Sequence, residues 1–232
     1  MSEFQKQINR YKDVGANFTQ WRHYFRWKKS FRPGANSMAD RQPWITFDAI
    51  DILKKHLNRE SKVFEFGGGG STVFFLDRVA EVVTSEHNAE WFSILENTLT
   101  LDEKKKWNGM LHEAQTGHVE NPNAAEPSHY YTTDEHYLKN HFKNYAQSID
   151  RFPDEYFDVV LVDGRSRPAC LAHGMSKVKI GGLLVLDNSD REYYLERTVM
   201  EIEKKFILLI NNQGASPYST PFCQTTIWKR VK

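Results

Sequence analysis

The chain has 232 residues, 40% of them hydrophobic, and a formal net charge of +1. That length suits one sizeable core with appended segments, and the balanced charge argues against a broad nucleic-acid footprint. Two cysteines, Cys170 and Cys223, make neither a disulfide framework nor a metal knuckle, and no apolar run could span a bilayer or serve as an N-terminal signal core, so a soluble cytoplasmic protein is expected.

Residues 1–44 read as a basic, aromatic helical arm, dense around Trp21-Arg22-His23-Tyr24-Phe25-Arg26-Trp27-Lys28-Lys29. Such an arm could bind a partner, rest on a membrane surface, or cap the core with its aromatics, but its Trp21, Tyr24, Phe25 and Trp27 are expected to close over the cofactor cleft rather than bind lipid. It lacks a lipid anchor and a long basic block, which weighs against the membrane. Pro33-Gly34 and Pro43 break it. From Trp44 onward Ile45, Phe47, Ile50, Leu53 and Leu57 recur at helical spacing and lead into a first strand, Val63–Phe66.

The run Glu65-Phe66-Gly67-Gly68-Gly69-Gly70-Ser71-Thr72 follows. Glycine costs stability in regular structure, so four in a row mark a sharp turn and a place where a ligand approaches bare backbone. The helix start beyond them offers free N–H groups, and Ser71 and Thr72 add hydroxyls. Two cofactor loops compete. A nicotinamide loop wants G-x-G-x-x-G, which Gly67 and Gly69 fit and Thr72 does not. An S-adenosylmethionine loop, E-x-G-x-G-x-G, fits from Glu65 with Ser71 in the last place. Glu65 discriminates, because a carboxylate suits a cationic ligand better than a pyrophosphate. A plain surface turn is the third reading.

A helix over Val73–Leu76, a strand over Ala80–Ser85 ending at Glu86-His87, and a helix carrying Trp91 and Leu95 come next. A weak strand is expected near Met110–Ala114. Residues 116–135 read as a long loop, functional or disordered. Its His118, His129, Tyr130 and Tyr131, with His136 and His141 beyond, could line a pocket, though their spacing matches no zinc pattern. A helix is expected over Tyr137–Ile149. Strands at Phe157–Val162, Gly182–Leu186, Phe206–Ile210 and Gln224–Trp228 complete the chain, with helices over 169–178 and 194–205. Alternating strands and helices predict an α/β fold, a parallel sheet covered on both faces. The last two strands lack an intervening helix and should pair antiparallel.

Over residues 45–232 the chain resembles the class I S-adenosylmethionine-dependent methyltransferases. The resemblance implies a Rossmann-like, doubly wound seven-stranded sheet whose C-terminal strand is antiparallel. It implies that Glu65, Gly67, Gly68, Gly69, Ser71 and Thr72 form the cofactor loop, that Glu86 holds the ribose hydroxyls with His87 beside it, and that Asp163 faces the same cleft. Val162-Asp163-Gly164-Arg165-Ser166-Arg167 with Leu186-Asp187-Asn188 is similar to the strand ends of metal-dependent catechol O-methyltransferases. That likeness implies Asp163, Asp187 and Asn188 as ligands of a divalent ion such as Mg2+, which would acidify the acceptor hydroxyl. Gly-Arg-Ser-Arg departs from that pattern. Arg165 and Arg167 point instead to an anionic acceptor and stand with Asp163 as candidate catalytic residues. The expected activity is O-methylation of a small molecule or glycan, with no nucleic-acid partner and a homodimer allowed. A nicotinamide-dependent oxidoreductase and an inactive cofactor-binding module remain the alternatives.

Overall fold

The computed structural model describes residues 2–11, 18–117 and 120–232. Its strands are β1 (Lys62–Phe66), β2 (Glu81–Glu86), β3 (Trp107–Leu111), β4 (Gln115–Thr116), β5 (Asn140–His141), β6 (Phe157–Val162), β7 (Val178–Asp187), β8 (Phe206–Gly214) and β9 (Cys223–Arg230). One sheet holds seven of them in the order β3-β2-β1-β6-β7-β9-β8, and β4 and β5 form a separate antiparallel ribbon. The five strands from β3 to β7 are parallel, while β9 runs antiparallel between β7 and β8. This is the α/β sheet with a reversed C-terminal strand that the sequence predicts.

The inner strands are apolar at almost every position because helices cover both faces. Val63 of β1 joins Val82, Val159 and Leu183 under the helices Phe47–His56 and Gly70–Leu76. Phe64 and Phe66 point the other way, with Val160, Val162 and Leu184, under the helices Lys143–Gln147 and Arg167–Gly174. The strand period of two assigns each side chain its face. On one side of β1 the order runs through β2 to β3, and on the other through β6 to β7. The order therefore reverses between β1 and β6, where a crevice opens outside the carboxyl ends of the strands. The Asp163 N–H donates to the Phe66 carbonyl at 3.0 Å and the Gly67 N–H to the Ser85 carbonyl at 2.8 Å, fixing both loops at that point.

Some boundaries differ from the sequence expectation. β3 begins three residues early because the Trp107 indole N–H donates to Thr84 Oγ1 at 2.9 Å, tying this segment to β2. β7 starts at Val178, since Gly181 at φ +84 lets the strand pass through an irregularity rather than begin after it. The helix expected over 137–149 is broken into a turn at Glu135–Tyr137, strand β5, and the helix Lys143–Gln147. The helix expected from Tyr194 is regular only over Val199–Lys205, after a turn at Glu192–Tyr194.

Contrary to expectation, Trp21, Tyr24, Phe25 and Trp27 do not line the crevice. Phe4 stacks with Trp21, Tyr24, Trp27 and Phe222 at centroid distances of 5.0–5.3 Å, and the Trp27 indole N–H donates to the Ser219 carbonyl at 2.9 Å. Phe4, Ile8 and Trp27 share one buried cluster with Val63. Three arginines of the arm meet acids, Arg22 with Asp48, Arg26 with Asp51 and Arg32 with Asp40, and His23 Nε2 lies 2.8 Å from Asp48 Oδ1. Among the described residues no helix is long and apolar enough to cross a membrane.

Candidate active site

Each glycine of the loop meets a different neighbour. Gly67 has φ +93, and a Cβ there would lie 2.9 Å from the Asp163 carbonyl oxygen. A Cβ on Gly68 would press on Leu95 and Thr84 at 2.8 Å, and one on Gly70 would strike the backbone of Ser37 and Gln42. Gly69, at φ +156, meets nothing nearer than the Trp91 ring at 3.5 Å, so its free side looks into a cavity of about 510 Å3. Gly67 to Ser71, Glu86, His87 and Asp163 line that cavity.

Glu65 and Thr72 do not line it, contrary to the sequence expectation. Glu65 falls on the face of β1 that points beneath the loop. It is fully buried and accepts from Ser71 Oγ at 2.6 Å, from Thr84 Oγ1 at 2.8 Å, and from Thr72 Oγ1. Thr72 Oγ1 in turn accepts from the Gly69 N–H at 3.0 Å. The pair braces the loop from below. Burial pushes Glu65 up to about 7, overcoming the three hydroxyl bonds that favour its charged form.

Glu86 ends β2 inside the cavity. Its Oε2 accepts from the Gly68 N–H at 2.9 Å, and its Oε1 accepts from the His87 and Asn88 N–H groups, both at 2.8 Å. Burial opposes its ionisation, but His87 and these backbone donors hold it below the usual carboxylate range. His87 Nδ1 lies 2.9 Å from Glu86 Oε1, and its Nε2 accepts from Arg165 Nε at 3.2 Å.

Trp91 and Trp44 also line the cavity, and the sequence reading missed both as site residues. Asn88 was the available signal for Trp91. Its side chain caps the helix Ala89–Thr98, accepting from the Trp91 N–H at 2.8 Å, which puts Trp91 on the first turn beside the strand end. The Trp91 indole N–H then donates to the Gly68 carbonyl at 2.8 Å.

Asp163, Arg165 and Arg167 come together at the end of β6. Arg167 donates to Asp163 at 3.0 Å and to the Asp187 carbonyl. Burial first, and the Asp187 carboxylate second, push Asp163 well above its usual range, with Arg167 opposing. Arg165 pairs with Asp134 at 2.7 Å. Gly164, Arg165 and Arg167 also line a second cavity of about 410 Å3, bounded further by Tyr131, Arg191, Tyr193 and Tyr194.

The expected metal set does not assemble as a cation site. Asp187 Oδ1 is taken by the Thr225 hydroxyl at 2.7 Å, Asn188 opens onto the second cavity, and the buried Arg167 guanidinium already supplies the positive charge beside Asp163. Nor do the histidines converge. His129 accepts from the Asn123 N–H, His136 pairs with Asp134, and His118 lies outside the described residues. Among the described residues no group of three or more His, Cys, Asp and Glu could hold a metal ion.

No protein-family model and no curated protein matches the sequence. Solved structures do match. An O-methyltransferase from Bacillus cereus, in complex with S-adenosylhomocysteine (SAH), has a TM-score of 0.52 at 15% identity over 78% of this chain and 77% of its own. A Streptococcus mutans protein in complex with SAH has 0.51 at 13% over 79% and 96%, and an rRNA methylase from Streptococcus thermophilus 0.51 at 12% over 80% and 95%. The chain has the class I S-adenosylmethionine-dependent methyltransferase fold. At these identities the likeness is one of fold, and fold alone names no acceptor.

Proposed function

We propose that the protein is an S-adenosylmethionine-dependent methyltransferase that methylates a hydroxyl oxygen of a small molecule or glycan. The observation that carries this reading is the cavity at the strand-order reversal, where bare glycine backbone, the Glu86 carboxylate and the Trp91 ring meet. The donor set suits the cofactor. Glu86 Oε2 accepts one backbone N–H and keeps a lone pair for a ribose hydroxyl. Trp91 offers an aromatic wall beside the open side of Gly69.

S-adenosylmethionine supplies an electrophilic methyl group on its sulfonium. The protein's own work is to place an acceptor in line with that group and to unmask its oxygen. Asp163 lines the cofactor cavity, and its neighbours Gly164, Arg165 and Arg167 line both cavities, so the acceptor belongs in the second one. A carboxylate raised above its usual range is, in its charged form, a stronger base for the hydroxyl proton. Arg167 holds that carboxylate in place. One fold neighbour is an rRNA methylase, so the fold itself leaves a nucleic-acid acceptor open. The small-ligand volume of the second cavity and the acid-paired N-terminal arginines favour a small acceptor.

Calorimetry with SAH, with NAD+ as a comparison, tests the cofactor assignment: SAH should bind and NAD+ should not. Release of SAH from S-adenosylmethionine over a panel of hydroxylated acceptors tests turnover. Tight NAD+ binding would return the oxidoreductase, and SAH binding with no turnover on any acceptor would leave a binding module.

A further inference from the structure

The second cavity is lined by three arginines, and two are answered. Arg165 faces Asp134 at 2.7 Å and Arg167 faces Asp163 at 3.0 Å. The third, Arg191, has no carboxylate partner among the described residues. Its Nη1 donates to the neutral Tyr194 phenol at 2.7 Å. Tyr194 is buried, and its ring centroid lies 5.2 Å from the Arg167 guanidinium and 5.7 Å from that of Arg191. One aromatic ring thus steadies two guanidinium groups on the same cavity. The backbone fixes Arg191 as well. Its N–H donates to the Asn188 carbonyl at 3.2 Å, and its carbonyl accepts from the Tyr194 N–H at 2.9 Å. A preorganised guanidinium with spare donors is a receptor for carboxylate or phosphate oxygens.

We propose that Arg191, held by Tyr194 and backed by Arg167, is the anion-recognition subsite for the acceptor, which is a small molecule bearing a carboxylate or phosphate apart from the hydroxyl that is methylated. The assignment rests on the methyltransferase reading of the neighbouring cavity. The cavity's size, about 410 Å3, is that of a small-ligand pocket. RNA also carries phosphates, but binding it would need further free cations beyond this pocket to follow its backbone. The arm's Arg22, Arg26 and Arg32, which could track a backbone, are bound to Asp48, Asp51 and Asp40.

The test uses the full chain saturated with SAH, and benzoate, phenyl phosphate and neutral benzamide as probes in calorimetry at low salt. At least one anion should bind, with benzamide at least ten-fold weaker, and the stronger anion identifies the acceptor's charged group. Arg191→Met should weaken that anion roughly ten- to a hundred-fold and leave SAH affinity unchanged. If Arg191→Met also loses SAH, Arg191→Lys decides: retained anion binding supports the subsite, and loss overturns it. Equal binding of benzamide, no anion binding at millimolar concentration, or anion binding indifferent to Arg191→Met overturns the proposal. So does an RNA oligonucleotide that binds tightly and outcompetes the anion without regard to residue 191. Failure of the wild-type chain to bind SAH at all would instead remove the methyltransferase reading.

Discussion

Replacing Glu65 by Gln should remove the pH dependence that this one buried carboxyl imposes on stability. Burial holds Glu65 at about 7 in the folded chain against an ordinary 4.5. The folded state therefore binds its proton more tightly than the unfolded state. Its contribution to stability is fully present below pH 4.5 and is lost as pH rises to 7. Proton linkage with these two values gives a loss of about 2.5 kcal/mol between pH 5 and pH 8. For a chain of this size that is roughly 5–10 °C in Tm. Gln cannot ionise, yet its amide oxygen can still accept from the Thr72 and Thr84 hydroxyls while its amide N–H donates to Ser71 Oγ. Glu65→Gln should thus gain about 2.5 kcal/mol on the wild type between pH 5 and pH 8. The assay is urea unfolding at several pH values. His56 and His112, whose burial lowers them, also titrate near this window but are common to both proteins and cancel in the difference. Parallel stability curves for the two proteins would refute a buried, proton-binding Glu65.

Gly69→Val should abolish SAH binding at some cost in Tm, because its side chain would stand in the cavity and φ +156 strains an L residue; unchanged affinity in calorimetry would remove the glycine loop from the cofactor site. Glu86→Ala should weaken SAH binding by about 1–3 kcal/mol, and it should also lower Tm, since three backbone N–H groups lose their acceptor. Once an acceptor is known, Asp163→Asn should slow turnover by roughly 10²–10⁴-fold. The wild-type rate should rise with pH through an apparent value above the ordinary carboxylate range, and the variant should lack that limb.

The sheet was legible because its strands are short apolar runs that end at glycine or acidic residues. Phe157–Val162 falls on its predicted boundaries. Where tertiary contacts set a boundary, sequence pattern failed. Trp107 drew β3 forward through its bond to Thr84, and Gly181 extended β7. Glu65 shows the same limit within the site. An acidic residue two positions before a glycine loop fits a ligand role by type. Only the pleat of β1 shows that its carboxylate points under the loop, where Ser71, Thr72 and Thr84 take it up. Arg191 was invisible for a different reason. It lies beyond Asp187-Asn188 in sequence and reaches the cavity only through the backbone turn from Asn188 to Tyr194.

The departure at Gly164-Arg165-Ser166-Arg167 bears most on the chemistry. In a strand-end acid cluster a divalent ion would supply two things: positive charge to hold the carboxylates and a Lewis acid to lower the acceptor's pKa. Arg167 supplies only the first. Its guanidinium joins Asp163 to the Asp187 carbonyl, which ties the ends of β6 and β7 together. A guanidinium does not acidify a hydroxyl as an inner-sphere metal does, so on the proposed reading proton removal falls to a side chain. Asp163 is placed for it, being raised by burial and by Asp187 rather than held as an ordinary carboxylate. The same arginine lies at the wall of the second cavity, the proposed acceptor site, its guanidinium 5.2 Å from the Tyr194 ring centroid. On the proposed reading Arg167 would thus stand in for the charge of an ion beside Asp163 and back Arg191 in recognising an anionic acceptor.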